Sequence, residues 1–312
     1  MNINQGKTNL NNPQDFYLGL LSFPFNNLEE SNINDSGEAL VNIFNLFHEL
    51  NDNNKLYNLY INIIKNLKIE TDSPAYQVGA TIAKKIDNKL YSQKNNKYHN
   101  MQHTAEVMLT SYHLSLLNNA LKLDYNFTNY EIGLIVLAAL LHDVNHDGSN
   151  NQNIPFRLEE QSLHIVEHDL KKLSKEDREA IHALVLSTDI FSFPAFVKKY
   201  YLNRDKLNIL SDIPETFKEL RLFLTNERAF AMSQILRDAD VLPSTGLSVK
   251  KTTALSQNLY KEQMNTNQTP DIKTITENFV NFANTFLKNG FNSKAGKLYN
   301  DKLKEIVKQL EN

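Results

Sequence analysis

The sequence predicts an all-α protein, a compact multi-helix fold without significant sheet, and three observations carry the prediction. Glycine and proline are sparse, at nine and eight residues in 312. Apolar residues recur mostly at intervals of three and four, and no stretch alternates long enough as a strand to build a sheet. Residues 1–35 are asparagine-rich and weakly periodic, hold Pro13 and Pro24, and run into the turn-like NDSGE at 34–38. They read as an N-terminal extension or cap ahead of a single helical domain over 36–312.

Within that domain ALVNIFNLFHEL and LYNLYINIIKNL have the spacing of amphipathic helices, the second ending near Lys68. AYQVGATIAKKIDNKLY is a third, stopping before the loop SQKNNK. NMQHTAEVMLTSYHLSLLNNALKL then predicts one long helix. TNYEIGLIVLAALLHDVNH opens with a capping-box pair, Thr128 and Glu131, and is apolar nearly all round, which predicts a buried central helix. HDGSNNQNIP is rich in turn formers and breaks the pattern. Further helices are expected at 157–172, 175–187, 215–240, 273–289 and 296–311, with Pro243 closing the helical segment that precedes it. No internal repeat is present.

Composition excludes several function classes. Hydrophobic residues make up 41% of the chain and charged residues 22%, values of an ordinary soluble globular protein. Net charge is −3 with scattered lysines, which gives no surface for nucleic acid. The absence of cysteine removes disulfides, thiolate nucleophiles and cysteine zinc sites together. The longest apolar run, Ile132 to Leu141, is far short of the ~20 residues that span a bilayer. The N-terminus lacks the basic start and apolar segment of a secretory signal, so a cytoplasmic protein with no membrane partner is the expectation.

The chemistry concentrates in two short stretches. KYHNMQHTAEV, Lys97 to Val107, carries His99 and His103; ALLHDVNHDG, Ala139 to Gly148, carries His142 and His146. On a helix, residues four apart share a face, so such pairs can converge on one ion. A histidine on an apolar helix is ordinarily a hydrogen-bonded core or boundary residue, and His48, His113, His164, His168 and His182 are read that way. His142 and Asp143 differ, because they end an apolar helix where an unpaired carboxylate would cost several kcal/mol, and a divalent cation offsets that cost. A further oxygen ligand is expected in ILRDADVLPSTG, 235–246, from Asp238 or Asp240.

A histidine, a sequential His-Asp pair and a distant aspartate together resemble the HD superfamily of metal-dependent phosphohydrolases. More narrowly, YHNMQH at 98–103 resembles the YHNxxH motif of class I 3′,5′-cyclic-nucleotide phosphodiesterases, and HDVNHDGSNNQ at 142–152 is similar to their HDxxHxGxxN motif, including Gly148 and Asn151. LVLSTDI at 184–190 looks like the family's TDM segment and DADVL at 238–242 like its ADIS segment. The ordered set spans about 85–245, over half the chain. The resemblance implies that His103, His142, Asp143 and Asp240 bind a first ion, zinc, with Asp240 matching the motif aspartate in preference to Asp238. It implies a second ion, magnesium or manganese, bridged by Asp143 and held mainly through waters that His146, Thr188 and a glutamate position. LEEQS at 158–162 resembles the segment supplying that glutamate and points to Glu159, with Glu160 adjacent. A hydroxide activated by two metals would attack phosphorus, and His99 would protonate the leaving ester oxygen, aided by a carboxylate that the sequence does not name. Tyr98 and Asn100 would shape the pocket rim, unless they serve packing and capping alone.

The match weakens where the family reads the base. Its late glutamine has no counterpart in register with Phe279, Phe282 or Phe286, Pro243 replaces the asparagine after the motif aspartate, and Ser162 replaces a histidine. The histidine after TDM is missing as well, with Phe191 and Pro194 in that segment. The phenylalanines of ITENFVNFANTFLKNGF, Phe279 and Phe282 among them, serve either the core or the base. The expected activity is hydrolysis of the 3′ ester of a small-molecule 3′,5′-cyclic nucleotide, cAMP or cGMP, to the 5′-monophosphate. The alternatives are an HD-type phosphohydrolase of another nucleotide or phosphoester, and a non-catalytic binding protein on the same fold.

Overall fold

The structure, a computed structural model, describes Tyr17 and residues 33–91, 96–151, 154–205 and 211–311. Most of the expected N-terminal extension and of the loop SQKNNK lies outside the described residues. Among these there is no strand, and the chain is built from α-helices as the apolar spacing predicts. In order they are α1 (Ile33–Glu49), α2 (Lys55–Asn66), α3 (Pro74–Asp87), α4 (Met101–Ala120), α5 (Asn129–Leu141), α6 (Arg157–Leu170), α7 (Lys175–Leu186), α8 (Ser192–Lys199), α9 (Leu222–Thr225), α10 (Glu227–Thr245), α11 (Val249–Gln263), α12 (Ile272–Phe286), α13 (Lys294–Lys297) and α14 (Asn300–Glu311). Short 3₁₀ turns cover Tyr201–Asn203 and Glu215–Arg221. No described helix is long and apolar enough to cross a membrane.

The core is organised around α5. Every residue from Ile132 to Leu141 is buried, and α4, α7 and α10 pack against it. Each Leu, Ile or Val buried there contributes about 1.5–3 kcal/mol. The capping box forms: the Thr128 hydroxyl accepts the amide of Glu131, whose carboxylate accepts the amide of Thr128. The α4–α5–α10 packing brings the start of α4, the end of α5 and the last turns of α10 to one point.

The sequence-based elements need several corrections. NDSGE is helical, inside α1, with Ser36 and Gly37 buried and packed toward Tyr299 and Leu247; a Cβ on Gly37 would meet the Tyr299 ring at 3.4 Å, an ordinary contact. The expected helix 215–240 is interrupted at Asn226, whose side chain caps α10 by accepting the amide of Ala229. Pro243 lies inside α10, which continues to Thr245; a proline this near a helix end displaces little of the ladder. α4 begins only at Met101 and α5 ends at Leu141, so His99 precedes one helix and His146 follows the other. α8 and α11 were not expected at all. His113 behaves as a core histidine, its Nε2 2.8 Å from the Tyr299 hydroxyl, with burial pushing it down to about 4.

Packing between α2 and α3 gives a direct check. A Cβ on Gly79 would lie 2.0 Å from Cζ of Tyr60, whose hydroxyl donates to Ala75 O at 2.9 Å. Gly to Ala inside a helix ordinarily stabilises by roughly 0.5–1 kcal/mol. Here overpacking reverses the sign: Gly79→Ala is expected to destabilise the fold by about 1–3 kcal/mol in urea denaturation.

Candidate active site

Four ligand-type atoms converge where α4, α5 and α10 meet. His103 Nε2 stands 3.1 Å from Asp240 Oδ1 and 3.3 Å from Asp143 Oδ2. His142 Nε2 stands 3.2 Å from Asp143 Oδ2, 3.6 Å from Asp240 Oδ1 and 3.3 Å from His103 Nε2. Ligands about 2.0–2.2 Å from a shared ion stand about 3–3.5 Å from one another, so the spacing fits one divalent cation. His142 Nδ1 donates to Ala139 O at 2.7 Å, which fixes the tautomer that leaves Nε2 as a lone-pair ligand. Asp143 Oδ2 is buried without a hydrogen-bond partner, a demand that a cation meets. Without an ion, burial would lower the His103 imidazole, yet the Asp143 and Asp240 carboxylates raise it to about 9, and the same pair raises His142.

Asp238 does not join them. It is fully buried and its carboxylate accepts the amide and Nδ2 of Asn292 and the amide and hydroxyl of Ser293, at 2.6–2.9 Å. It locks the segment entering α13 onto α10, while Asp240, two residues on, faces the cluster.

His99 lies just outside the ligand set. Its Nδ1 is bonded to the carboxylate of Glu262, which also accepts the backbone amides of Tyr98 at 2.7 Å and His99 at 3.1 Å. Burial pushes Glu262 up, but the bonds from His99 and these amides outweigh it and hold the carboxyl below its usual range. Glu262 is the carboxylate partner that the sequence left unnamed; it sits on the unanticipated α11, and nothing near it in sequence marks it. The His146 ring stacks on His99 with centroids 3.8 Å apart, and its Nδ1 accepts the amide of Gly148. His99, His146 and Glu262 therefore also cluster, but stacked rings present faces rather than lone pairs to a common point, which disqualifies them as an ion site. Burial lowers His146 to about 4.

These groups open on a cavity of about 520 Å³. Tyr98, Asn151, Glu159, Thr188, Phe279 and Phe282 line it, all expected near the site from sequence. Glu159 faces the cavity, whereas Glu160 faces a separate groove beside His164 and His182. Asn151 is tied down: its Nδ2 donates to Glu159 and Asp189, and its Oδ1 accepts the amide of Leu158. Asn100 is not among the lining residues; its side chain caps α4 by accepting the amides of Gln102 and His103, which aims His103 inward. Thr188 is buried and donates its hydroxyl to Val185 O at 2.8 Å. Phe286, named with Phe279 and Phe282 in the sequence, reaches the cavity as well, and Gln263, Asn278 and Asn281 join it without a sequence signal.

The comparisons agree with this geometry. Residues 98–162 match the 3'5'-cyclic nucleotide phosphodiesterase family. That match covers 65 of the 312 residues. The matched segment runs from Tyr98 to Ser162 and so contains His99, His103, His142, Asp143, His146 and Glu159. No curated protein sequence matches the chain. The fold is shared with the phosphodiesterase domain of the RhoPDE fusion protein from the choanoflagellate Salpingoeca rosetta, at 17% identity and TM-score 0.54 over 88% of this chain and 90% of that one. A second structure of that organism's rhodopsin phosphodiesterase domain matches at 18% identity and TM-score 0.52, over 88% and 87%. LmjPDEB1 in complex with IBMX matches at 15% identity and TM-score 0.56, over 82% and 84%.

Two tests follow. Asp240→Asn is expected to abolish stoichiometric metal binding with little change in folding, while Asp238→Asn keeps the metal and loses at least about 2 kcal/mol of stability; elemental analysis and denaturation read the two apart. Burial and then Asp189 raise Glu159 from 4.5 to about 8. The folded state therefore binds a proton more tightly there than the unfolded chain, and stability falls as pH rises from 4.5 through about 8. In metal-free protein, Glu159→Gln should remove that part of the decline, measured as melting temperature against pH.

Proposed function

We propose that the domain hydrolyses the 3′ ester of a 3′,5′-cyclic nucleotide to the 5′-monophosphate, using divalent ions and His99 as general acid. One observation supports this above the rest: the ligand cluster and the His99–Glu262 pair open on the same cavity, so an ester bound at the ions lies within reach of a proton donor. His103, His142, Asp143 and Asp240 would hold the first ion, zinc, and Asp143 would share the second, magnesium or manganese. Such ions neutralise phosphoryl charge and lower the pKa of bound water toward about 7. Glu262, kept ionised, accepts the hydrogen bond from Nδ1–H of His99 and orients the ring; a proton on Nε2 is then the one to pass to the leaving 3′ oxygen. Asn100 caps the helix turn that carries His103, and the Ala139 carbonyl holds the His142 imidazole in the required tautomer.

The cavity also bears on substrate class. None of its described lining residues is a lysine or arginine. A polyphosphate would find no side-chain cation there, whereas a phosphodiester with a single negative charge needs only the ions. That favours a cyclic mononucleotide over the polyanionic substrates open to other HD-type phosphohydrolases.

Purified protein supplied with zinc, magnesium or manganese should release 5′-monophosphate from cAMP or cGMP. His99→Gln should lower kcat by about 10²–10⁴-fold with metal content unchanged. Glu262→Gln should lower kcat less and shift the acidic or basic limb of the pH–rate profile. Release of phosphate from other esters with none from any cyclic nucleotide would favour the broader phosphohydrolase reading. Absence of bound metal, with His142→Ala leaving all behaviour unchanged, would favour a binding protein.

A further inference from the structure

A second cavity of about 270 Å³ adjoins the first and shares Thr188, Phe191, Val241, Phe282, Thr285 and Phe286 with it. What distinguishes it is Arg237, which lines the side cavity but not the larger one. Arg237 lies on α10 one turn before Asp240. Its guanidinium sits over the ring of Phe193, 5.1 Å from the centroid, and Nη1 donates to Asn292 Oδ1 at 3.2 Å. Asn292 is itself held, because its amide and its Nδ2 both donate to Asp238 and leave Oδ1 to face Arg237. A guanidinium has five N–H donors in one plane. Asn292 occupies one, and the fork that remains is oriented by Phe193 and Asn292 at the cavity wall.

The surroundings decide what such a fork can take. Asp238, Asp240 and Asp189 all lie near enough to act on the Arg237 charge, which leaves no surplus positive field for a free oxyanion. A neutral ring with carbonyl acceptors fits better. Phe191 and Phe286 meet edge to face at 4.9 Å, and Phe282 and Phe286 at 5.1 Å, giving the shared wall an apolar aromatic surface for a planar heterocycle. An arginine fork matches two adjacent acceptors, such as O6 and N7 of guanine; adenine offers one acceptor and one donor along that edge.

The geometry points to Arg237 as a specificity-determining residue that selects 6-oxopurine over 6-aminopurine rings, an inference that rests on the cyclic-nucleotide reading above. The role that the family assigns to a late glutamine, missing from its register here, passes to a cation reaching in from α10.

The test pairs turnover with binding. Wild-type protein should hydrolyse cGMP and cIMP with lower KM than cAMP, and should bind 5′-GMP and 5′-IMP more tightly than 5′-AMP in calorimetry. Arg237→Met should raise KM for cGMP and cIMP by about tenfold to a hundredfold, leaving the cAMP KM within about threefold and kcat nearly unchanged. Arg237→Lys, which keeps the charge but loses the fork, should show the same selectivity loss in smaller measure and guards against misfolding of the methionine variant. Unchanged metal content and melting temperature would separate ring recognition from a structural role. An equal loss on all three nucleotides, or none on any, overturns the inference. Hydrolysis of cyclic nucleotides without ring preference sinks it alone, whereas guanine-selective, Arg237-dependent binding without hydrolysis sinks the proposed reaction and leaves Arg237 in its role.

Discussion

Two imidazoles and two carboxylates are withdrawn from water at one point, and the helix arrangement answers the need to satisfy them. α5 is apolar around its whole circumference, so its end carries His142 and Asp143 into the interior rather than to the surface. A carboxylate left alone there would cost several kcal/mol, more than any one packing contact returns. His103 and Asp240 arrive from α4 and α10, both of which pack against α5. The hydrophobic packing and the polar cluster are therefore one constraint. Helices that must bury a greasy central rod also set the distances between the four donor atoms.

The two histidine pairs show how local structure divides labour. Spacing of four suggests one helical face and two ligands to one ion. In each pair, however, a helix boundary breaks the register: Asn100 caps α4 after His99, and His142 is the C-cap residue of α5, with His146 in the turn beyond. The member attached to the helix end points at the cluster, while the outer member leaves the helical register. Both outer histidines then meet each other, stacked at 3.8 Å. Gly148 at φ +79° gives the chain the sharp turn that offers its amide to His146. Burial keeps His146 neutral where its ring lies against His99.

The legible part of this molecule is the part where chemistry demands particular residue types. The central apolar run, the capping box at Thr128 and the four donors that converge could all be read from sequence, because imidazole and carboxylate at such positions have few other uses. α11 was illegible for the opposite reason. Only Thr252 is buried along it, so apolar spacing gives no signal, although it carries Glu262 and also Lys251, whose ammonium pairs with the buried Glu106 of α4. Glu262 lies 163 residues from His99, and only the packing of α11 on α10 and α12 makes them neighbours. NDSGE was misread because tertiary packing against Tyr299 overrides the turn preference of its residues. The Asp238–Asp240 choice, open on spacing alone, turns on which carboxylate meets backbone amides and which meets imidazoles.

Under the proposed function, this division also accounts for a sequence that keeps the metal-ligand motif and departs from the motif that reads the base. Phosphoryl charge can be met only by ions or fixed cations, and the ions need their nitrogen and oxygen donors at defined separations. Ring recognition has no such restriction. Apolar surface and hydrogen-bonding groups can be delivered from several directions, and α10, α11 and α12 all line the two adjoining cavities, with Arg237, Gln263, Asn278, Asn281 and Phe282. A sequence motif persists where geometry admits one solution, and disperses where it admits many.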